Sequence, residues 1–331
     1  MLEREPGVGG SPVYHPSCQG TPLPLRELEG YLGFDISPCV EPIREIKEIA
    51  GGRAVSIPPR SIHACFLERG PGPSSLESHL YRLALEAGVE FRFSSPVLRR
   101  EDFLRLPRGS IVATGLHREG FEAAGVPYLV SHHLVHRTSC EPRLNFVHLY
   151  HEPYTSDYGY AAAFRGILYL HLFNRRRPIR PQEEKEFADR LAAQEGIEVP
   201  AWSRFTLPLP VASPSTPRLF SGPYILAGSL AGAVDPFALF GLLGALVSGR
   251  IAALAVEDPV LARQEFRKCV HLYRKAYFAA RLKDVIPAWV SIPAYRFLFS
   301  RFDRLGFAQR ALLKAMPGYG NLLSPPQRKS P

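Results

Sequence analysis

Closely spaced glycines mark the stretch from Gly228 to Gly249 as the part of this sequence best suited to hold a ligand. Its sequence is GSLAGAVDPFALFGLLGALVSG, with the apolar run PYIL before it and RIAALAV after it. Glycines at a turn let backbone N–H groups approach a phosphate or a flat ring, and the N-terminus of a following helix favours negative charge. The stretch therefore predicts a strand, a glycine turn and a helix around an anion or flavin site.

The same stretch is apolar enough to raise the alternative of a membrane-spanning helix. The run YILAG is too short to cross a bilayer, and Asp235 followed by Pro236 interrupts the apolar span after it. The window from Phe237 to Val256 is long enough, but it contains Arg250 and several small or polar residues. Length and charge thus favour a strand, a turn and a buried helix.

Clusters of histidine and cysteine give weaker signals. In HHLVH, a strand would point His132 and His136 to one face and His133 to the other, with no carboxylate or cysteine at matching spacing. The five cysteines include no CxxC pair, so neither a zinc site nor a disulfide framework is indicated. We predict no metal site and interpret these histidines as surface or hydrogen-bonded residues.

The basic run NRRRPIRPQEEK is interpreted as a solvated charged loop. The chain carries a net charge of +9, which suits nucleic acid, anionic lipid or a phosphorylated ligand. No aromatic residues alternate with the arginines of this loop, as nucleic-acid binding would require. We therefore predict no nucleic-acid partner.

Helical and strand patterns alternate in the first part of the chain. SSLESHLYRLALEAG has apolar residues at helical spacing and ends at Gly88, VEFRFSSPVL alternates like a strand, and GSIVATG is a short apolar strand before a glycine turn. From about Tyr128 to Leu172 the runs alternate and are rich in aromatic residues, as in antiparallel strands. After Pro259 the pattern is nearly all helical. Together these patterns predict an α/β (α+β) fold.

The glycine stretch resembles the flavin-contacting segment of the geranylgeranyl reductase family, which usually has the form GDAAGxxDPxxGxGIxxAxxSGxxAA. The positions that match in register are Gly228, Ala231, Gly232, Asp235, Pro236, Gly241, Ala245, Ser248 and Gly249. The resemblance implies that FAD is bound by Gly228, Ser229, Gly232, Asp235, Pro236 and Gly241. Ser229 replaces an acidic residue that bonds the ribityl chain of FAD in the family, and a hydroxyl bonds more weakly than a carboxylate. Phe240 stands where the family often has Glu.

Further motifs of the same family follow along the chain. MLEREP resembles the end of the second strand of a Rossmann unit, where Glu3 would bind the adenosine ribose, and SIVATG resembles the turn beside adenine, where Thr114 and Gly115 would lie. SCQG resembles a loop near the flavin ring, which would place Cys18 at the active site as a catalytic residue. The alternatives are an inert loop cysteine and, for Thr114 and Gly115, a turn that serves only the fold.

GYAAAFRG resembles the substrate-channel motif YxWxFP of the family. Tyr160 and Phe164 match, while Ala162 and Arg165 replace the tryptophan and the proline. Smaller side chains would widen a channel and Arg165 would meet a phosphate headgroup, so Tyr160, Phe164 and Arg165 are expected to contact the substrate. An aromatic strand face packed in a core is the alternative.

The strand and helix with GxGxxG that should precede MLEREP are absent from this sequence, and GVGG at residues 7–10 follows no strand. We therefore expect Met1 to be a late start or a fragment boundary, and FAD to bind this chain weakly or not at all. The predicted organisation is an incomplete Rossmann-like FAD-binding domain (1–127 and 218–258), an inserted antiparallel-sheet substrate domain (128–217) and a C-terminal helical region (259–331).

The resemblance implies an FAD-dependent oxidoreductase that reduces double bonds of isoprenoid lipids or their precursors, with NAD(P)H or ferredoxin as the electron donor. One alternative is a flavin monooxygenase or halogenase of the same broad fold. Another is a non-catalytic, membrane-surface lipid-binding protein that has lost FAD. The sequence leaves the oligomeric state open.

Basic and aromatic residues are mixed between Tyr273 and Met316. The residues concerned are Trp289, Tyr295, Phe297, Phe299, Arg296, Arg301, Arg304, Arg310 and Lys314. This mixture suits the headgroup layer of an anionic membrane, and Pro287 and Pro293 divide the segment into helices too short to span a bilayer. With no signal-peptide pattern, we expect a cytoplasmic protein that lies peripherally on a membrane; helices of an ordinary core are the alternative.

Overall fold

The structure is a computed structural model of the chain. It describes residues 1–10, 18–22, 24–59, 62–155 and 157–301, with only the backbone described from Cys18 to Pro22. The end of the predicted membrane-facing segment, residues 302–316, lies outside this part of the chain.

The order of strands and helices changes along the chain from mixed to antiparallel to helical. The strands are β1 (Cys18–Pro22), β2 (Val40–Pro42), β3 (Glu45–Ala50), β4 (Arg53–Ile57), β5 (Ala64–Glu68), β6 (Ile111–Val112), β7 (Leu129–Ser139), β8 (Phe146–His151), β9 (Gly159–Phe164), β10 (Ile167–Asn174), β11 (Ser203–Leu209), β12 (Phe220–Ser221) and β13 (Tyr224–Leu226). The α-helices are α1 (Leu25–Leu32), α2 (Leu76–Glu86), α3 (Arg100–Leu104), α4 (Arg118–Ala124), α5 (Pro181–Glu195), α6 (Leu242–Glu257), α7 (Pro259–Cys269), α8 (Tyr273–Lys283) and α9 (Ala288–Ser300). The predicted mixed α/β fold with a C-terminal helical region is confirmed.

A seven-stranded sheet supplies one side of the candidate site. Its strand order is β11-β7-β10-β9-β8-β3-β4, and its neighbouring strands are antiparallel except for the parallel pair β3 and β8. The hairpin of β9 and β10 turns at Arg165 and Gly166, whose φ values of 49° and 81° fit a type I′ turn. Because side chains alternate between faces, the even-numbered leucines of β10 pack with α5 in an apolar core. The odd-numbered residues are left to the opposite face.

The hairpin of β3 and β4 extends this sheet, although sequence patterns placed it with the other predicted domain. β3 pairs along its length with β8, from Glu45 opposite Phe146 to Ala50 opposite His151. The hairpin was not predicted because Ile46 and Ile49, both buried, are three residues apart and give no alternation. The domain boundaries themselves stay predictions.

The glycine stretch forms the predicted strand, turn and helix. β13 leads into a 3-10 helix at Gly228–Ala231, and α6 begins directly after Gly241. β13 pairs in parallel with β6, and a separate parallel bridge joins Leu2 to Arg92. Residues of β6, β13, α1, α6 and α7 share one buried apolar cluster. Within the ranges described above, every helix is too short or too polar to cross a bilayer.

Candidate functional site

A cavity of about 620 Å³ lies between the glycine stretch and one face of the seven-stranded sheet. This volume is within the range of small-molecule sites. We call one side the glycine wall, formed by Gly115, Ala227, Gly228, Ser229, Gly241 and Leu242. We call the other side the sheet wall, formed by His133, Tyr160, Tyr169, His171, Phe173 and Phe205. The cavity thus brings together parts of the chain that are far apart in sequence.

Glycines give the glycine wall a surface with few side chains. Gly115 and Gly228 have φ values of 65° and 64°, in the left-handed region that favours glycine. A Cβ atom on Gly115 would meet nothing within 4 Å, and one on Gly228 would meet Ala245 Cβ at 3.8 Å. The space beside both residues is therefore open to a flat ligand.

Helix α6 begins at the cavity. Gly241 occupies the N-cap position, no side chain caps the first turn, and both Gly241 and Leu242 line the cavity. The first N–H groups of a helix have no partner within the helix and carry partial positive charge. This end of the cavity suits an anionic atom or an electron-rich carbonyl of a ligand.

Other residues of the glycine stretch hold the wall from behind. A Cβ atom on Gly232 would lie 2.9 Å from Pro217 Cα, so this glycine permits close packing. A Cβ atom on Gly244 would lie 1.9 Å from the Ala233 carbonyl oxygen. Ser248 Oγ accepts a hydrogen bond of 2.8 Å from the Gly228 N–H. These contacts fix the path of the backbone at the cavity.

Asp235 and Pro236, predicted to bind the cofactor, lie behind the wall rather than on it. The Asp235 side chain is buried and accepts a hydrogen bond from the Ala238 N–H. Burial raises the pKa of Asp235 to about 6, against the lowering by the N–H groups of Ala238 and Phe237. Since Phe237 and Ala238 line the cavity, Asp235 shapes this part of the wall.

Arg175 is buried, which corrects the interpretation of its basic run as a solvated loop. Its Nε atom lies 2.9 Å from Asp157 Oδ1, and its Nη1 atom donates to the Pro236 carbonyl at 2.6 Å. Lys283, which lines the cavity, lies 3.6 Å from the same Asp157 oxygen. Burial lowers the pKa of Lys283, and Asp157 opposes that effect. Arginine is buried mainly where it is paired, and here the pairing joins the end of β10 to the glycine stretch.

Hydrogen bonds link three polar side chains of the sheet near the cavity. Ser131 Oγ donates to the Leu207 carbonyl at 3.0 Å and lies 2.6 Å from His133 Nε2. His133 Nδ1 lies 2.8 Å from His171 Nε2. Because the Ser131 proton goes to Leu207, we infer that His133 Nε2 donates to Ser131 and that His171 Nε2 donates to His133. His171 Nδ1 is then a hydrogen-bond acceptor, and it has no partner within the described ranges.

Burial keeps both histidines neutral. Burial, with a smaller contribution from His132, lowers the pKa of His133 to about 3. Burial and then His133 lower the pKa of His171 well below its usual value. The His133 ring stacks on Phe205 at 5.1 Å, and the Tyr160 ring meets His171 edge-on at 5.1 Å. The sheet wall therefore presents aromatic surface around neutral imidazoles.

Sequence patterns did not identify His171 or Lys283 as site residues. HHLVH drew attention to His133, but β7 and β10 must first pair before His133 meets His171. Lys283 lies in a segment whose basic residues suggested only surface contacts. No group of His, Cys, Asp and Glu among the described residues could hold a metal ion.

Only Tyr160 of the three predicted substrate residues lines the cavity. Phe164 stacks on Phe66 with ring centroids 4.7 Å apart, inside an apolar core. Arg165 lies at the hairpin turn and pairs with Glu41 at 3.3 Å and Glu68 at 2.7 Å. Arg165 is not among the residues that line the cavity, and its contact with a substrate headgroup stays a prediction.

Glu3 and Thr114 are not among the residues that line the cavity. Glu3 accepts a hydrogen bond of 3.0 Å from the Glu5 N–H. Thr114 packs under Gly120, where a Cβ atom would lie 2.0 Å from Thr114 Oγ1. Cys18 begins β1, and its side chain lies outside the described residues. The roles expected for these residues stay predictions.

Comparison with known proteins shows which solved structures share the fold of this chain. No family model matches the chain, and no curated protein matches it. A geranylgeranyl bacteriochlorophyll reductase-like protein from Thermoplasma acidophilum is similar in structure, with a TM-score of 0.64 and 14% identity over 88% of this chain and 82% of that protein. The fold class expected from the family resemblance is confirmed.

Two further structures have the same fold. The p-nitrophenol 4-monooxygenase PnpA from Pseudomonas putida has a TM-score of 0.58 and 12% identity over 96% of this chain and 91% of its own. The R204Q variant of HpxO from Klebsiella pneumoniae, solved with FAD, has a TM-score of 0.58 and 12% identity over 96% of this chain and 92% of its own. The chain shares one fold with a reductase-like protein and a monooxygenase.

Proposed function

We propose that this protein is an FAD-dependent oxidoreductase that reduces carbon–carbon double bonds of isoprenoid lipids or their precursors. The observation that carries the proposal is the cavity between the glycine wall and the sheet wall. One side suits a flat cofactor and the other suits an apolar substrate. Neighbours of the same fold include a geranylgeranyl bacteriochlorophyll reductase-like protein and a complex with FAD, which supports this choice.

The glycine wall fits the ring end of a flavin. Gly115 and Gly228 leave open space for a flat ring, and the uncapped start of α6 would receive its electron-rich edge. The sequence given has no GxGxxG between a strand and a helix, the motif that would cradle the diphosphate. We therefore expect this chain to bind FAD weakly.

Bound flavin would supply the hydride chemistry, with NAD(P)H or ferredoxin as the proposed source of electrons. The residues of this chain orient the reactants. Apolar and aromatic side chains of the sheet wall pack against the substrate and keep water away from it. The single N–H of the neutral His171 imidazole donates to His133, so its Nδ1 atom is a free acceptor among the described residues. Nδ1 therefore accepts a hydrogen bond from a substrate hydroxyl and has no proton to donate to an anionic group.

Flavin titration followed by product analysis tests the proposal. The chain is mixed with FAD, a reductant and an isoprenoid alcohol in two parallel reactions, one without oxygen and one with dissolved oxygen. Oxygen uptake is followed in the second reaction, and both products are examined by mass spectrometry. Gain of two hydrogen atoms supports alkene reduction, whereas oxygen consumption with an oxygenated product supports the monooxygenase alternative. Failure to bind FAD at any concentration supports the lipid-binding alternative and contradicts the proposal.

A pair of glycine variants shows whether FAD uses the glycine wall. Gly228→Leu places a side chain at the cavity, while Gly125→Leu places one at an exposed helix end with a nearly equal φ of 61°. In both variants the leucine must adopt a left-handed backbone conformation, which costs about 1–2 kcal/mol. We expect Gly228→Leu to lose FAD binding and Gly125→Leu to retain it. Equal FAD affinity in the two variants would place the cofactor elsewhere.

A further inference from the structure

Helices α8 and α9 and the turn between them expose an unusual amount of apolar surface. The exposed apolar residues are Phe278, Leu282, Val285, Ile286, Trp289, Val290 and Phe297. Trp289 is 78% exposed and Val285 is 70% exposed, and α9 contains no buried residue. Contiguous apolar surface of this kind marks a contact with another molecule or a membrane.

The opposite side of α9 is part of the cavity. Tyr295, Leu298 and Phe299 line it, and the Tyr295 and Phe299 rings lie 4.8 Å and 5.2 Å from the His151 ring. Arg296 Nε donates to the Ala50 carbonyl at 2.8 Å, which holds α9 against the hairpin of β3 and β4. One helix therefore separates the cavity from the exposed apolar surface.

The charge of this surface has one sign. Between His271 and Arg301 the exposed charged side chains are basic: Arg274, Lys275, Arg281 and Arg301. Asp284 is the acidic residue of this segment, and its side chain is 2% exposed and paired with Arg175 and Arg176. Arg301 lies over the Phe297 ring at 4.4 Å. Basic heads above apolar and aromatic groups match the layered chemistry of an anionic lipid surface.

The geometry allows surface contact rather than insertion across a bilayer. α8 has 11 residues and α9 has 13, with Pro293 inside it. At about 1.5 Å per residue these helices are roughly 17–20 Å long, shorter than the ~30 Å apolar layer of a membrane. Helices that expose apolar residues beside basic side chains and cannot span the bilayer lie in its interface.

We propose that the outer face of α8 and α9 docks on an anionic lipid bilayer and thereby turns the α9 side of the cavity toward the membrane. Among the described residues, α9 then lies between the bilayer and the sheet wall, on the path of a lipid substrate. This last point rests on the proposed function, but docking itself needs neither flavin nor turnover. Failure of the two proposals is therefore distinguishable.

Tryptophan fluorescence gives a direct test, because the chain has two tryptophans, Trp202 and Trp289. Trp202→Phe leaves Trp289 as the reporter. We expect a blue shift and quenching by brominated acyl chains with phosphatidylcholine vesicles that contain phosphatidylglycerol, and a weaker response with phosphatidylcholine alone. Added salt should reduce the response in part.

Two matched variants separate docking from general exposure of apolar groups. Val285→Glu places a carboxylate on the docking face, and Leu104→Glu places one at an exposed site on α3. We expect Val285→Glu to weaken vesicle binding about tenfold, from the added negative charge and the lost apolar contact. Leu104→Glu should bind like the parent protein.

Three results would overturn the proposal. One is a Trp289 emission that no vesicle changes. Another is equal vesicle binding by Val285→Glu and Leu104→Glu. The third is a blue shift without lipid that grows with protein concentration and accompanies dimer formation in light scattering, which would assign this face to a second copy of the chain.

Discussion

The two walls of the cavity are built in different ways. The glycine wall is made of backbone: its glycines lie within short segments, and contacts such as that between Gly244 and Ala233 fix its path. The sheet wall is made of side chains that meet only when distant strands pair, as His133 and His171 do. Where that backbone is closely packed, as at Gly244, it leaves no room for an added atom, whereas a wall of side chains changes its chemistry one residue at a time. Each prediction below tests that difference.

Gly244→Ala should have the largest effect on stability. The new Cβ atom would lie 1.9 Å from the Ala233 carbonyl oxygen, and backbone has no easy way to move aside. We expect a loss of at least about 4 kcal/mol in the free energy of unfolding, measured by denaturant titration. Gly249→Ala on the same helix meets nothing within 4 Å and should gain about 0.5–1 kcal/mol. Similar unfolding free energies for Gly244→Ala and Gly249→Ala would contradict the view that close backbone packing fixes the glycine wall.

Arg175→Met tests whether the two walls are mechanically joined. It leaves Asp157 buried without its closest arginine and removes the bond to the Pro236 carbonyl. Breaking a buried ion pair costs about 3–5 kcal/mol. Arg143→Met removes an exposed arginine that pairs with the exposed Glu141 at 2.6 Å and should cost less than about 1 kcal/mol. A small loss in Arg175→Met would show that the walls are held together by other contacts.

Asp235, buried behind the glycine wall, should make the free energy of unfolding of the protein depend on pH. Its pKa in the folded protein, about 6, is above its usual value of 3.8. The folded state thus prefers the neutral acid, so stability falls as the pH rises from about 4 to 6. Relative to Asp235→Asn, the wild-type protein should lose up to about 3 kcal/mol across this window.

Chemical denaturation of both proteins at several pH values measures this difference. The variant keeps an oxygen for the Ala238 N–H, and any unpaired amide group adds an offset that does not change with pH. Asp258→Asn, at an exposed helix cap, controls for the loss of one charge. Parallel stability curves for Asp235→Asn and wild type would contradict the prediction.

His171 should have the smallest effect, and on ligand choice rather than on folding. We expect wild type to bind an isoprenoid alcohol about tenfold more tightly than its methyl ether, because the ether cannot donate to Nδ1. His171→Gln retains a group toward His133 but loses that acceptor, so the preference should vanish. His171→Asn, which keeps an acceptor near Nδ1, should recover part of it.

Isothermal titration calorimetry with both ligands measures these preferences. His136→Gln is the control, since His136 lies on the other face of the sheet and bonds to the Ala201 carbonyl. A preference for the alcohol that survives in His171→Gln would place the polar contact at another residue.

The sequence predicts the features of the glycine wall better than the contacts of the sheet wall. The strand, turn and helix of the glycine stretch could be predicted because each depends on neighbouring residues: a short apolar run forms the strand, glycines take positive φ at the turn, and a glycine precedes the helix. The aromatic hairpin of β9 and β10 is equally local. Neither the pairing of Arg175 with Asp157 nor that of His133 with His171 follows from spacing, because each depends on loop paths and strand register.

Sequence resemblance also reached its limit at individual side chains. It directed attention to Gly115, Gly228, Gly241 and Tyr160, which line the cavity. The same motif suggested Arg165, which pairs with glutamates at a hairpin turn. A motif predicts the course of the backbone better than the direction of each side chain.

The hairpin of β3 and β4 has a consequence for how this protein folds. β3 can reach β8 only after about 100 residues of intervening chain have been brought together, since Glu45 lies opposite Phe146. Contacts so distant in sequence carry a loop-closure cost and slow folding. A fragment limited to residues 128–217 would leave the β8 edge without its partner, open to pairing with other chains. The antiparallel sheet made as a separate fragment should therefore aggregate. The fragment should be more soluble when residues 45–57 are part of the same polypeptide.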